Sequence, residues 1–256
     1  MRRYIHLILL AVIAFSSGRT YPGAETRARE ELFFKANQAY REGRFQEAID
    51  GYTRLVQDGQ GNGHLYYNLG NAYFRQNDLG KAILFYERAY RLMPRDADLR
   101  FNLGYALDQT RDAIPKNQSF IRMTFFWLND FNLGELFWGF AIVNILFWGV
   151  LLLRFFFQRE WTYYVLFVFL FFWLIAGLSF GLKWHQLATD DRAVILQKEV
   201  SVLAGPDTQD TVLFKLHEGT MVDVERSEDG WSLVRLPDKK RGWLTGDAIE
   251  RIRRVD

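Results

Sequence analysis

Cysteine is absent from the 256 residues. That excludes disulfides, thiolate catalysis, cysteine-ligated zinc and a lipid anchor attached through cysteine, and it is compatible with an oxidising compartment. An excess of one charge is lacking too. The formal net charge is only +2, with the basic residues scattered, so nothing forms the basic stripe that nucleic-acid binding requires. Histidines number only four, His6, His64, His185 and His217, and no two stand at metal-ligand spacing. There is no glycine-rich phosphate loop and no Gly-x-Ser-x-Gly elbow. No cofactor, metal or catalytic constellation is expected, and binding is the default function.

Apolar sequence is plentiful. Two runs, Leu136–Leu153 and Trp161–Leu182, are separated only by seven residues from Arg154 to Glu160. Each is about the length that a helix rising ~1.5 Å per residue needs to cross a ~30 Å hydrocarbon layer. Tyr163–Trp173 is apolar or aromatic at every angle around a helix axis, unlike the one-sided pattern of a soluble core helix. The reading is a transmembrane hairpin, with helices at 134–153 and 161–182. Aromatic residues stand where its interfaces belong: Trp127 and Trp138, then Trp161, Tyr163 and Tyr164, then Trp184. Asn144 is the one strongly polar side chain in a span and is expected to hydrogen-bond the partner helix. A hairpin places everything before it and everything after it on one side of the membrane.

Met1-Arg2-Arg3, the run Ile5–Phe15 and Ser16-Ser17-Gly18 have the charged, apolar and small-residue parts of a secretory signal. Residues 1–18 are thus a signal peptide or an uncleaved anchor, and either one exports the chain after it. Both water-facing regions are expected outside the cytoplasmic membrane, with Arg154 and Arg159 in the cytoplasmic turn.

Residues 25–113 repeat at an offset of 34. Asn68-Leu69-Gly70-Asn71-Ala72 recurs as Asn102-Leu103-Gly104-Tyr105-Ala106, Ala48-Ile49 as Ala82-Ile83, and Tyr52 as Tyr86. Ala36, Gly70 and Gly104 are small enough for close helix crossing, and Pro94 ends the second unit. This pattern resembles the tetratricopeptide repeat and implies an all-α solenoid of two repeats, closed by a capping helix within Asp98–Asp112. Residues four and seven apart share a helix face, so a concave wall is expected from Phe33, Asn37, Tyr40 and Arg41, their equivalents Tyr67, Asn71, Phe74 and Arg75, and Phe101 and Tyr105 of the cap. Such a groove suits an extended peptide or a partner's helix, although some of these aromatics can instead pack between helices. Some relatives of the repeat clamp a C-terminal carboxylate. Asn37 and Asn68 match the two Asn positions of that clamp, but Phe33, Asp98 and Asn102 stand where its basic residues belong.

Residues 119–133 mix Phe and Trp with Arg122, Asn129, Asp130 and Asn132, which is too polar to span and fits the membrane interface. From about residue 190 to 254, six short alternating runs read as strands, Ala193–Leu196, Val200–Leu203, Val212–Leu216, Met221–Glu225, Trp231–Leu236 and Gly242–Leu244, with turn signals at Gly205-Pro206, Glu218-Gly219, Asp229-Gly230 and Pro237-Asp238. Together with Gly230-Trp231-Ser232-Leu233-Val234 and Gly242-Trp243-Leu244 they resemble the bacterial SH3-like domain, an all-β barrel in which Trp231 and Trp243 are expected as core and strand-pairing residues. Leu203 stands near the place where that family often carries an Arg.

The order of signal, tetratricopeptide unit, two-span hairpin and SH3-like barrel resembles the BatE-like proteins of aerotolerance operons over nearly the whole chain. The resemblance implies a multidomain membrane scaffold working beside von Willebrand factor A-type membrane proteins and a MoxR-type ATPase, in envelope or oxidative-stress functions. The alternative is a peptidoglycan-binding accessory protein that recruits a cell-wall enzyme.

Overall fold

The computed structural model describes residues 23–112, 124–157 and 159–253. The signal-like segment, residues 119–123 of the aromatic stretch and residue 254 lie outside the described residues.

Five helices form the N-terminal region: α1 (Ala24–Arg41), α2 (Phe45–Leu55), α3 (Gly63–Arg75), α4 (Leu79–Leu92) and α5 (Ala97–Asp108). The 34-residue period reappears in their end chemistry. Asn62 and Asp96, one period apart, cap α3 and α5 by accepting the amide hydrogens of Leu65 and Leu99, each at 2.9 Å. Gly43 and Asn77, also one period apart, take positive φ in the turn inside each repeat, a conformation that Gly and Asn adopt most readily. The helices pack where the small residues are. A Cβ on Gly70 would lie 2.5 Å from the Tyr86 ring, so only glycine lets α3 and α4 close on each other there.

Two long helices follow, α6 (Leu133–Phe156) and α7 (Trp161–Ala188), packed against each other along the hairpin. Both are long and apolar enough to cross a membrane. No residue of α6 is buried, and in α7 only Thr162, Ser179 and Lys183 are. Asn132 starts α6 with a reciprocal cap, accepting from the Glu135 amide while the Glu135 carboxylate accepts from its own. Asn144 makes no hydrogen bond to α7 in the described structure. It lies on one face with Phe140 and Phe147, whose rings pack 6.2 and 5.5 Å from that of Trp173.

The described part of the aromatic stretch is held by protein at the base of this hairpin. A single 3₁₀ turn, Phe126–Asn129, buries Leu128. Trp127 Nε1 donates to Ser179 Oγ at 3.1 Å, and Lys183 Nζ donates to the Leu128 carbonyl at 2.6 Å. The hairpin base also grips the solenoid, through an Arg95–Glu135 ion pair and an Asn132 hydrogen bond to the Leu92 carbonyl at 3.1 Å.

The C-terminal domain is one antiparallel sheet in the order β3-β2-β6-β5-β4-β1-β7. Its strands are β1 (Arg192–Ile195), β2 (Glu199–Leu203), β3 (Val212–His217), β4 (Met221–Glu228), β5 (Trp231–Arg235), β6 (Arg241–Thr245) and β7 (Ile249–Arg251). Sequence patterning missed β7, whose three residues are too short to show alternation. Small aliphatic side chains make the core, among them Ile195, Val202, Val222, Val234 and Leu244. Trp231 and Trp243 do not belong to it, which corrects the expectation that they are core residues; both do pair across strands, Trp231 with Glu228 and Thr245 and Trp243 with Leu233 and Leu203. On β5 the inward positions are Ser232 and Val234, so the pleat turns Trp231 to the opposite face, half-exposed. Trp243 is likewise half-exposed, with the Arg226 guanidinium 5.3 Å from its ring centre.

The sheet is docked on the solenoid. Val194 of β1 and Ile252 are buried in the same apolar cluster as Ile83, Tyr86 and Leu99. Arg88 of α4 donates from Nε to the Ile252 carbonyl at 3.2 Å and from Nη2 to the Arg251 carbonyl at 2.9 Å, and pairs with Glu250 at 2.8 Å. It covers the open edge that β7 presents, where unpaired backbone groups are otherwise a liability. A second contact joins the end of the cap to the barrel. Asp112 accepts from the His217 amide at 2.8 Å and from the Thr220 hydroxyl at 2.6 Å, and its other oxygen lies 3.0 Å from His217 Nδ1. Glycine again permits the approach: a Cβ on Gly80 would stand 2.7 Å from the Ile195 carbonyl oxygen, and one on Gly219, at φ +83°, 2.7 Å from Ile83.

Candidate functional site

The concave wall is built from α1, α3 and α5, and its polar residues form a repeated ladder. The Tyr52 hydroxyl donates to Asn37 Oδ1 at 2.7 Å, and one period later Tyr86 donates to Asn71 Oδ1 at 2.8 Å. Each carbonyl oxygen takes a second donor from the next helix: Asn68 Nδ2 reaches Asn37 at 3.4 Å and Asn102 Nδ2 reaches Asn71 at 3.0 Å. Asn102 also donates to the Tyr67 hydroxyl at 2.9 Å. Burial pushes the Tyr52 hydroxyl up to about 12 and raises Tyr86 further, so both remain protonated donors at neutral pH.

Asn37 and Asn71, expected on the ligand-facing wall, take part in helix packing. Their oxygens are engaged inward, tying the first helix of each unit to its second helix and to the next unit. Such a bonded ladder fixes the spacing of the wall, because leaving any buried member unpaired costs about 1–3 kcal/mol. The signal was in the sequence: Tyr52 and Tyr86, and Asn68 and Asn102, recur at the same offset as Asn37 and Asn71.

Five of the ten expected groove residues are exposed, Arg41, Arg75 and three aromatics. Phe101 is 72% exposed, Tyr105 55% and Phe33 38%. Phe101 and Tyr105 lie with parallel rings 6.4 Å apart, and Phe74 continues the strip 5.8 Å from Tyr105. Tyr67 and Phe33 hold equivalent places against Tyr86 and Tyr52, at 6.0 and 6.3 Å. Two residues are drawn away from the groove. Tyr40 packs edge-on against Phe45 at 5.6 Å, and the Arg75 guanidinium sits 4.8 Å over the same Phe45 ring. Both lie against the turn end of the first repeat, which Arg75 reaches from the end of α3. Arg41 is exposed near that end.

What the wall offers a ligand is therefore an aromatic strip at the cap end, with rings held in place by hydrogen bonds behind them. Aromatic side chains in such a setting bury large area with little loss of rotamer freedom.

Family models match both domains. The one described as tetratricopeptide repeat covers residues 35–97. The one described as bacterial SH3 domain covers residues 197–249. The chain thus combines a tetratricopeptide solenoid with a bacterial SH3 fold, joined through two long apolar helices. A comparison with curated proteins returned no match. The solenoid match ends at the first residue of α5, whose Phe101 and Tyr105 carry the most exposed part of the strip. Both folds are typically interaction modules without catalytic groups, and bacterial SH3 domains suggest protein or peptidoglycan contact.

Proposed function

We propose that this chain is a membrane-anchored scaffold, outside the cytoplasmic membrane, whose concave aromatic strip captures a segment of a partner protein. The observation that carries this reading is the row of half-buried Phe74 and exposed Tyr105 and Phe101, at the end of a wall that the Asn–Tyr ladder braces. The membrane part of the reading is supported by α6 and α7, which leave large side chains such as Trp148, Phe155, Phe167 and Phe172 uncovered on a hairpin that needs an apolar solvent. By the resemblance to BatE-like proteins, the partners are von Willebrand factor A-type membrane proteins acting with a MoxR-type ATPase in envelope or oxidative-stress functions. The groove residues proposed are Phe33, Tyr67, Phe74, Phe101 and Tyr105 on a wall held by Asn37 and Asn71, with Arg41 near its far end; Tyr40 and Arg75, engaged by Phe45, are left out of the contact surface.

A second reading has its own observation. Trp231 lines a shallow hollow of about 410 Å³ with Ser227, Glu228, Asp229 and Arg251, an aromatic plate ringed by polar groups that suits a cell-wall glycopeptide.

A photo-activated cross-linking side chain placed at Phe101 or at Trp231 of the full chain, in intact membranes, separates the two. The scaffold reading expects one discrete protein adduct from position 101. A peptidoglycan adduct from position 231, with none from 101, favours the wall reading.

A further inference from the structure

The solenoid ends on an uncovered face. A Cβ added to Gly70 would meet the Tyr86 ring, but one added to its repeat counterpart Gly104 would meet nothing within 4 Å among the described residues outside its own stretch of helix. Before Gly104 opens a cleft of about 970 Å³ at the meeting of α5, the hairpin base and the barrel. One wall is apolar, from Leu103, Leu107 and Phe126, the last 66% exposed. The rim carries cations. Arg100 and Lys239 make no ion pair among the described residues. Among the described residues half-buried Arg91 has one ion-pair partner, Asp190 at 3.9 Å, a carboxylate that already holds Arg192 at 2.8 Å; Glu87 attracts Arg91 more weakly, while Arg192 and Arg253 repel it. Burial lowers the Arg91 pKa, as for a guanidinium whose charge is incompletely neutralised. Asp130 adds an acceptor to the lining.

We propose that this cleft binds a phospholipid headgroup, with the phosphodiester against Arg100, Arg91 and Lys239 and the glycerol end along Leu103, Leu107 and Phe126. This rests on the membrane reading of the hairpin, since Gln186 and Leu187 of the last turn of α7 line the same cleft and place it where a hydrocarbon layer would end. Three features select the ligand. Under-neutralised guanidinium and ammonium groups favour a phosphate anion, with Arg able to grip two of its oxygens. Apolar lining beside them favours an amphiphile over free phosphate. Asp130 can accept from headgroup hydroxyls, as phosphatidylglycerol supplies. Basic residues close to a membrane surface are attracted to anionic lipid by about 1 kcal/mol each, and a formed cleft adds selectivity to that attraction.

The test uses the full chain in neutral detergent, titrated calorimetrically with dihexanoyl phosphatidylglycerol below its own micelle concentration. Saturable binding of one lipid per chain is expected, with inorganic phosphate at least tenfold weaker and dihexanoyl glycerol, which lacks the phosphate, not binding. The double variant R100Q/K239Q should lose affinity tenfold or more while keeping its circular dichroism and melt, because both side chains are exposed. The charge-matched control R27Q/K35Q, on α1, should bind like the parent. Equal binding by R100Q/K239Q, equal binding of the phosphate-free lipid, or equal loss in the control overturns the proposal. The titration does not depend on insertion. Extraction of the chain from membranes by alkaline carbonate tests the hairpin reading separately.

Discussion

Tyr86 donates its hydroxyl to Asn71 at 2.8 Å, and Tyr52 makes the same bond to Asn37 one repeat earlier at 2.7 Å. The ladder separates two kinds of groove residue, those that hold the wall and those that a ligand can touch.

Asn71→Ala removes an acceptor shared by Tyr86 and Asn102, leaving a buried phenol unpaired. It should destabilise the protein by about 1–3 kcal/mol in chemical denaturation. Phe101→Ala, at an exposed position, should stay within about 0.5 kcal/mol of the parent. Equal stability of the two variants contradicts the division of roles.

Alkali should weaken the solenoid by a defined route. Burial raises the Tyr52 hydroxyl from 10.0 to about 12, and Tyr86 shifts the same way. A group whose folded pKa is raised contributes stability that is complete below its unfolded pKa and lost as pH rises through the folded one. Tyr52 alone should therefore cost on the order of 2 kcal/mol between pH 10 and 12. A tyrosinate absorbance titration should show late-ionising tyrosines appearing with loss of helicity, and Tyr52→Phe should move that loss upward in pH.

Acid should act at the domain junction. Burial works to raise the carboxyls of Asp112 and Asp190, but hydrogen bonds from Thr220 and His217 in one case, and from Arg192 in the other, outweigh it and hold both below the ordinary 3.8. Depressed carboxyls stabilise above their unfolded pKa and lose that contribution as pH falls through the folded one. Loosening is expected only below about pH 4. Asp112→Asn should remove much of this acid sensitivity, read as protease cutting between α5 and β1.

Gly80→Ala tests the docking itself. The new Cβ meets the Ile195 carbonyl oxygen at 2.7 Å, a methyl against backbone that cannot swing aside, and should cost about 1–3 kcal/mol. The parent solenoid and barrel should melt in one calorimetric transition, and the variant in two. Two transitions in the parent as well would show that the contact couples nothing.

The repeats, the apolar pair and six of seven strands were legible in the sequence because each depends on a local period. The docking was not. Arg88 reads as an ordinary helix-surface arginine until β7 is placed beside it, and Gly80 reads as a weak helix position until Ile195 explains it. Trp231 was misjudged for a related reason. Alternation shows that Trp231 and Leu233 share a face, but with Ser232 and Val234 on the other, composition alone favours the wrong side as core. The groove was half legible: spacing placed Phe101 and Tyr105 on one helix face, while the inward hydrogen bonds of Asn37 and Asn71 needed the second helix of each repeat.

The central claim is tested most directly by titrating the full chain in detergent with the extracytoplasmic part of a proposed von Willebrand factor A-type partner, comparing the parent with F101A/Y105A and with W231A. The account predicts that F101A/Y105A keeps its melt and weakens binding by about 2 kcal/mol or more, close to thirtyfold, as expected for loss of aromatic anchors, while W231A binds like the parent. Unchanged affinity in a folded F101A/Y105A, with loss in W231A, would contradict it and move the binding surface to the barrel.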